Sequence, residues 1–132
     1  NPDLEDYIEL KLHSNVSIAI DEHVHNIESA EKVIKSAIAD FIIIKPTITG
    51  GIKASGKIIK LVQGAKMKVV ITSAYESNIG LMACAHIASA YNISGHCGLN
   101  TSTLFTSNTS KKIIYDNCIS IKGHGLGIKA LI

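Results

Sequence analysis

Polar residues that could carry out chemistry stand at the ends of three apolar stretches of the chain. Asp21 ends "VSIAID", Lys45 ends "FIIIK" directly before a proline, and Thr72 and Ser73 end "KVVITS". A carboxylate, an ammonium and two hydroxyls at a common edge could bind a ligand and take part in catalysis. An ordinary ion pair between Asp21 and Lys45, with no ligand, is the alternative interpretation. The spacing of the residues leaves both interpretations open.

The segments between these residues predict strands that alternate with helices. Apolar residues at helical spacing predict four helices, over residues 4–12, 27–39 (capped by Asn26), about 52–64 and 79–91 (capped by Ser77 or Asn78). Asn1 and Pro2 match the cap and first position of a helix, and Gly56 weakens the third helix. Apolar runs predict strands over 16–22, 41–46 and 68–73, a poorer strand over 94–102, and short strands or covering segments at 111–116 and 118–123.

Strands that alternate with helices predict a parallel sheet, and ligands bind at the edge where its strands end. Strand alternation places Lys45 on the same face as Phe41 and Ile43, and it places Asp21 on the same face as Ala19. The isoleucines between them suit the side covered by helices. We therefore expect Asp21 and Lys45 to point together into the mouth of a barrel.

Composition excludes several classes of protein. The chain has 132 residues, of which 46% are hydrophobic, so it suits one domain with a substantial core. The net charge of +2 does not suggest a nucleic-acid partner, and no apolar run approaches the roughly 20 residues that span a bilayer. The three cysteines are widely spaced, without a CxxC pair, which fits a reducing compartment such as the cytoplasm or the plastid stroma.

Four segments together resemble the C-terminal part of the enolase superfamily. They are "IAIDE", "FIIIKPTITGG", "VVITSAYESNIGLMACAHIA" and "HCGLNTSTLF". The muconate-lactonising subgroup is the most similar, and within it the o-succinylbenzoate synthases. The resemblance implies an α/β fold, the C-terminal half of a (β/α)7β TIM-type barrel. Residues 1–132 would then be a single incomplete domain, without the N-terminal capping domain and the first barrel strands.

The resemblance also implies roles for individual residues. Asp21 matches one of three carboxylate ligands of an essential Mg²⁺. Lys45 matches a lysine that is an acid/base in racemases and that stabilises the enediolate intermediate in the synthases. Thr72 matches a position near a carboxylate of the substrate, and Ser73 lies beside it as a second substrate-binding residue.

Two acidic residues in the matched segments, Glu22 and Glu76, are expected to support the site rather than take part in the chemistry.

The implied activity is the Mg²⁺-dependent dehydration of a small carboxylate substrate in menaquinone or phylloquinone biosynthesis. The family also needs a Lys-x-Lys base and two more carboxylates on earlier strands, which this sequence lacks, so we expect the chain to be inactive without the N-terminal part of its protein. A muconate cycloisomerase or N-acylamino acid racemase is the alternative within the superfamily. Dipeptide epimerases carry an Asp-x-Asp on the last strand, and "GLNTS" lacks it. A non-catalytic domain that binds a small anion through Lys45 is the alternative outside it.

Overall fold

The computed structural model describes residues 3–129. Parallel strands alternate with helices up to the end of the fourth helix, and two short antiparallel strands follow near the end of the described part. The helices are α1 (Leu4–His13), α2 (Ile27–Ser36), α3 (Ile52–Gly64) and α4 (Asn78–Ala90), followed by a 3₁₀ turn (Ser102–Leu104). The strands are β1 (Ala19–Ile20), β2 (Phe41–Ile44), β3 (Lys68–Ile71), β4 (Ile114–Tyr115) and β5 (Cys118–Ile119). The predicted βα units are therefore present in the predicted order.

The strands of the parallel sheet lie side by side in the order in which they occur in the sequence. Its order is β1-β2-β3, and all pairings are parallel. Beyond β3, Gly98 forms a single parallel bridge to Thr72, and its N–H donates to the carbonyl of Ile71 at 2.9 Å. Each strand thus adds next to the preceding one, as in the wall of a barrel.

The helices cover only one face of this sheet. Four isoleucines on that face are almost completely buried: Ile20, Ile42, Ile44 and Ile71. Burying each side chain contributes about 1.5–3 kcal/mol to the free energy of unfolding. The other face is partly open, with Ala19 exposed and Phe41, Ile43 and Val70 half-buried. A sheet with helices on one side and a half-open opposite side has the form of a barrel wall.

The helix starts follow local capping. Asp3 caps α1, and its N–H donates to the Asp6 carboxylate at 2.8 Å. The predicted cap at Asn1 and Pro2 lies outside the described residues. Asn26 caps α2 as predicted, because its side-chain oxygen accepts from the N–H of Ser29 at 2.8 Å.

The other helix boundaries differ slightly from the prediction. α2 ends at Ser36 instead of residue 39, because Ala37 adopts a left-handed conformation with φ of 53°. α3 spans the predicted residues despite Gly56, and α4 begins directly after Ser77, one of the two predicted caps.

Most strands are shorter than predicted. β1 keeps two of the seven expected residues, since its ladder with β2 extends only over Ala19 and Ile20. The fourth strand, predicted over 94–102, is reduced to the bridge at Gly98. β4 and β5 form an antiparallel hairpin in the region where short segments were predicted. Its turn residues, Asp116 and Asn117, have the positive φ angles that a tight hairpin needs.

Within the described residues, no helix combines the length and the hydrophobicity needed to cross a lipid bilayer.

Candidate functional site

Asp21 and Lys45 form an ion pair on the half-open face of the sheet. The register of β1 and β2, continued by one residue, places Asp21 beside Ile43, diagonally next to Lys45. The ammonium of Lys45 donates to the Asp21 carboxylate at 2.7 Å. The side chains are 20% and 32% exposed, so the pair is accessible but partly shielded from water. The structure therefore brings together the two residues that the sequence placed on one face.

The ion pair favours the charged form of Lys45. The hydrogen bond to Asp21 raises the pKa of the Lys45 ammonium, and this effect outweighs partial burial, which lowers it. The carboxylate of Glu22, 3.7 Å away, adds a weaker attraction in the same direction. Lys45, like an ordinary lysine, is therefore positively charged at neutral pH, and the ion pair preserves this charge despite partial burial.

The loop after β2 holds the backbone of Lys45 in place. The carbonyl of Lys45 accepts hydrogen bonds from the N–H groups of Ile48 and Thr49, at 2.9 and 3.0 Å. The Thr49 hydroxyl also lies 3.2 Å from this carbonyl. These contacts turn the chain sharply after Pro46 and leave the Lys45 side chain at the end of its strand.

Thr72 lies on the same face, one strand further along. The register of β2 and β3, continued by one residue, places it directly beside Lys45. Its hydroxyl oxygen is buried and has no hydrogen-bond partner among the described residues. Gly98 on the next strand allows this position to pack closely, because a Cβ there would lie 2.9 Å from the Thr72 methyl carbon. The Thr72 hydroxyl thus lies beside Lys45 without a hydrogen-bond partner in the described part of the chain.

Ser73, the second predicted substrate-binding residue, makes hydrogen bonds within the fold. Its side chain is 8% exposed. Its hydroxyl lies 3.1 Å from the carbonyl of Gly98 and 2.8 Å from the hydroxyl of Thr101. Strand alternation turns it away from the face that carries Lys45. These contacts hold the segment around Gly98 against the end of β3, and the predicted contact of Ser73 with substrate stays a prediction.

The two acidic residues predicted to support the site differ in their surroundings. The Glu22 side chain is 63% exposed, so its attraction to Lys45 is weakened by water. Glu76 is 7% exposed and accepts a hydrogen bond from the hydroxyl of Thr47. Sequence reasoning missed Thr47, although its position two residues after Lys45 is a signal that could have identified it.

Asp21 suits Mg²⁺ chemically but cannot hold the ion alone. Mg²⁺ prefers about six oxygen ligands, and a partly exposed carboxylate on the open face is a suitable donor. Between residues 3 and 129, however, no three His, Cys, Asp or Glu side chains are grouped to hold a metal ion. Asp21 can therefore supply one ligand of a magnesium site whose other ligands would come from elsewhere.

Two cavities lie near the loops that follow the strands, and neither is lined by Asp21 or Lys45. One, of about 440 Å³, is lined mainly by amides and hydroxyls, among them Asn78, Asn100 and Asn108. The other, of about 320 Å³, lies after β1 and includes Glu22 and His23 in its lining. The ion pair thus lies on the open face of the sheet rather than in a closed pocket.

Comparison with curated proteins gives two kinds of enzyme. The chain is 32% identical over 105 residues to the o-succinylbenzoate synthase of Desulfotalea psychrophila, which covers 78% of this chain and 28% of that protein. It is 34% identical over 91 residues to the L-amino acid-D/L-Glu epimerase of Francisella philomiragia, covering 69% of this chain and 26% of that protein. The chain thus spans less than a third of the length of these two relatives.

Solved structures show the same fold. The N-succinyl Arg/Lys racemase of Bacillus cereus superposes with a TM-score of 0.89 at 24% identity, covering 98% of this chain and 35% of that one. Residues 1–130 match the family described as enolase C-terminal domain-like. This match covers nearly the whole chain and agrees with the one-sided parallel sheet described above. The chain therefore belongs to the enolase C-terminal domain-like family, and its βα units form part of a TIM-type barrel.

Proposed function

We propose that this chain is part of an o-succinylbenzoate synthase, a lyase that removes water from a small carboxylate substrate in menaquinone or phylloquinone biosynthesis. The observation that carries the proposal is the ion pair between Lys45 and Asp21 on the open face, with the free hydroxyl of Thr72 beside it. The similarity to the synthase of Desulfotalea psychrophila supports the same reaction.

Lys45 would stabilise negative charge on the substrate. Removing a proton from the carbon next to a carboxylate creates an anionic enediolate, and the loss of hydroxide from the neighbouring carbon then completes the dehydration. The raised pKa of Lys45 keeps its ammonium charged. A fixed charge near a partly shielded face stabilises an anion more strongly than a charge in bulk water.

Thr72 would donate its hydroxyl to a carboxylate of the substrate. The hydroxyl oxygen is buried without a partner in the described part of the chain, and such groups cost free energy unless something binds them. The carboxylate is the acceptor that a hydroxyl donor beside Lys45 would fit best.

Asp21 would supply one ligand to Mg²⁺, which members of the family generally use. When bound, the ion would offset negative charge on the substrate carboxylate. The proton-abstracting base and the remaining carboxylate ligands would come from polypeptide beyond this chain. We therefore propose that residues 1–132 alone do not catalyse the reaction.

A racemase or epimerase of the same family is the second candidate. It is supported by the similarity to the Francisella philomiragia epimerase and by the fold shared with the Bacillus cereus racemase. One feature argues against a dipeptide epimerase. These enzymes bind the ammonium group of the substrate with the two carboxylates of an Asp-x-Asp motif, and this chain has Leu99, Asn100 and Thr101 in the corresponding segment.

The experiment that separates these candidates is a substrate comparison with the complete gene product and Mg²⁺. The succinyl-cyclohexadiene substrate tests for the synthase, and N-succinyl amino acids and an Ala-Glu dipeptide test for racemase and epimerase activity. We expect dehydration with a kcat/KM at least about tenfold above that of the other reactions. Racemisation or epimerisation alone would favour the second candidate, and no reaction with any substrate would favour a non-catalytic anion-binding domain.

A further inference from the structure

A single side-chain hydrogen bond joins the loops that follow β2 and β3. The hydroxyl of Thr47 donates to Oε1 of Glu76. Thr47 is separated from Lys45 only by Pro46, and Glu76 is separated from Thr72 by three residues. The contact therefore connects the loop that follows Lys45 to the loop that follows the neighbouring strand.

The inward orientation of the Glu76 side chain depends on the two neighbouring residues Tyr75 and Gly80. Tyr75 has a φ of 61°, a left-handed conformation that costs a residue with a side chain about 1–2 kcal/mol. Gly80, in the first turn of α4, leaves space for the aliphatic part of the Glu76 side chain. A Cβ at Gly80 would lie 2.6 and 2.8 Å from the Cβ and Cγ of Glu76, so a larger residue there would displace it.

This arrangement leaves part of the carboxylate unsatisfied. Glu76 is 7% exposed, and its Oε2 is buried without a hydrogen-bond partner among residues 3–129. An unpaired buried polar group costs about 1–3 kcal/mol, and a charged group costs more. A glutamine could accept the same bond from Thr47 at a lower desolvation cost. A carboxylate gives the stronger, charge-assisted bond, which fixes the loop more firmly.

Further hydrogen bonds connect the loop that contains Thr47 to the backbone of Lys45. The Lys45 carbonyl accepts from the N–H groups of Ile48 and Thr49, and the Thr49 hydroxyl lies 2.8 Å from the Ser55 hydroxyl in α3. Because these bonds make the turn after Lys45 compact, a displacement of Thr47 would shift the end of β2.

We propose that Glu76 is a positioning residue, which fixes the Lys45 ammonium against Asp21 by anchoring Thr47. The position of Lys45 is a property of the fold alone, whereas its effect on turnover rests on the proposed function.

Chemical labelling of Lys45 tests the positioning directly. In the 132-residue chain, the acetylation rate of Lys45 is measured by mass spectrometry at fixed pH, relative to the exposed Lys35 and Lys53. We expect Thr47→Val and Glu76→Ala to increase the relative rate at Lys45 by about tenfold, which corresponds to 1.4 kcal/mol. Glu76→Gln keeps an acceptor and should give a smaller increase.

Matched controls are Thr106→Val and Glu31→Gln, which change exposed side chains that make no hydrogen bond to any residue between 3 and 129. Circular dichroism checks that each variant is folded. If Glu76→Ala does not fold, Thr47→Val still tests the proposal, because Thr47 is exposed and its replacement should leave the fold intact. An unchanged Lys45 rate in Thr47→Val would overturn the proposal.

Turnover of the complete gene product gives the second readout. Thr47→Val and Glu76→Ala should lower kcat about tenfold while KM changes less than about threefold, and Glu76→Gln should restore part of kcat. Faster labelling with an unchanged kcat would overturn the catalytic consequence. If the unaltered protein shows no activity, the proposed function fails, and the labelling still decides whether Glu76 positions Lys45.

Discussion

The hydroxyl oxygen of Tyr91 lies 2.1 Å from the position that a Cβ on Gly56 would occupy. Tyr91 follows α4 directly, and Gly56 is in the middle of α3, so the ring of Tyr91 packs against α3 at a position that has no side chain. This contact explains why a residue with poor helix propensity occupies a buried position inside a helix.

Replacing Gly56 by alanine should therefore destabilise the fold. Alanine normally favours a helix by about 1 kcal/mol, but the clash with Tyr91 should reverse this and cost about 1–3 kcal/mol. Urea denaturation followed by circular dichroism measures the free energy of unfolding. Gly64→Ala is the control, since a Cβ there meets nothing within 4 Å. A Gly56→Ala variant as stable as the unaltered chain would show that the Tyr91 ring can move aside without cost.

The three cysteines should differ widely in reactivity. Burial raises the pKa of the Cys84 thiol to about 12, with a smaller contribution from the nearby Glu76 carboxylate. The thiolate is the reactive form, so at pH 8 Cys84 should react far more slowly with iodoacetamide than the exposed Cys118, with Cys97 between them.

Mass spectrometry of the labelled peptides measures the three rates, and in 8 M urea they should become similar. Labelling of native Cys84 as fast as that of Cys118 would contradict the burial of α4.

Stability should fall in acid partly because of Asp40. The hydrogen bond from Lys11 lowers the pKa of the Asp40 carboxyl, and the N–H of Ile18 lowers it further. A group with a lowered pKa stabilises the fold above its unfolded pKa, here near 3.8, and loses this contribution as the pH falls below that value. Asp40→Asn should therefore reduce stability at pH 6 and flatten its decrease between pH 4 and pH 2.

The urea midpoint measured at several pH values tests this prediction. Asp116→Asn, a change of the same type in the exposed β4–β5 turn, is the control. The prediction fails if Asp40→Asn and the unaltered chain lose stability in parallel as the pH falls.

Hydrophobic patterning predicted most of the fold. The isoleucines of "FIIIK" alternate between a covered and a half-open face, and Lys45 follows the same alternation, so its position beside Asp21 could be predicted. Helix ends that depend on one backbone angle, as at Ala37, could not be predicted, because alanine rarely adopts a left-handed conformation.

The candidate site was predicted less completely than the fold. The pairing of Glu76 with Thr47 depends on two loops whose turns are set by tertiary contacts and by the positive φ of Tyr75. The structural role of Ser73 depends on the one-residue bridge at Gly98, which hydrophobic patterning cannot show. Loop conformation therefore limited the prediction more than strand and helix identity did.

The central claim is that Lys45 and Asp21 act together on a bound carboxylate substrate. The most direct measurement is the kcat of Mg²⁺-dependent dehydration, compared between the complete gene product and its Lys45→Ala and Asp21→Asn variants. Lys35→Ala, which changes an exposed residue of α2, is the control. We predict that each of the two site variants lowers kcat by about 10²–10³, while Lys35→Ala keeps the original rate. Activity within about twofold of the unaltered protein in Lys45→Ala would contradict the claim.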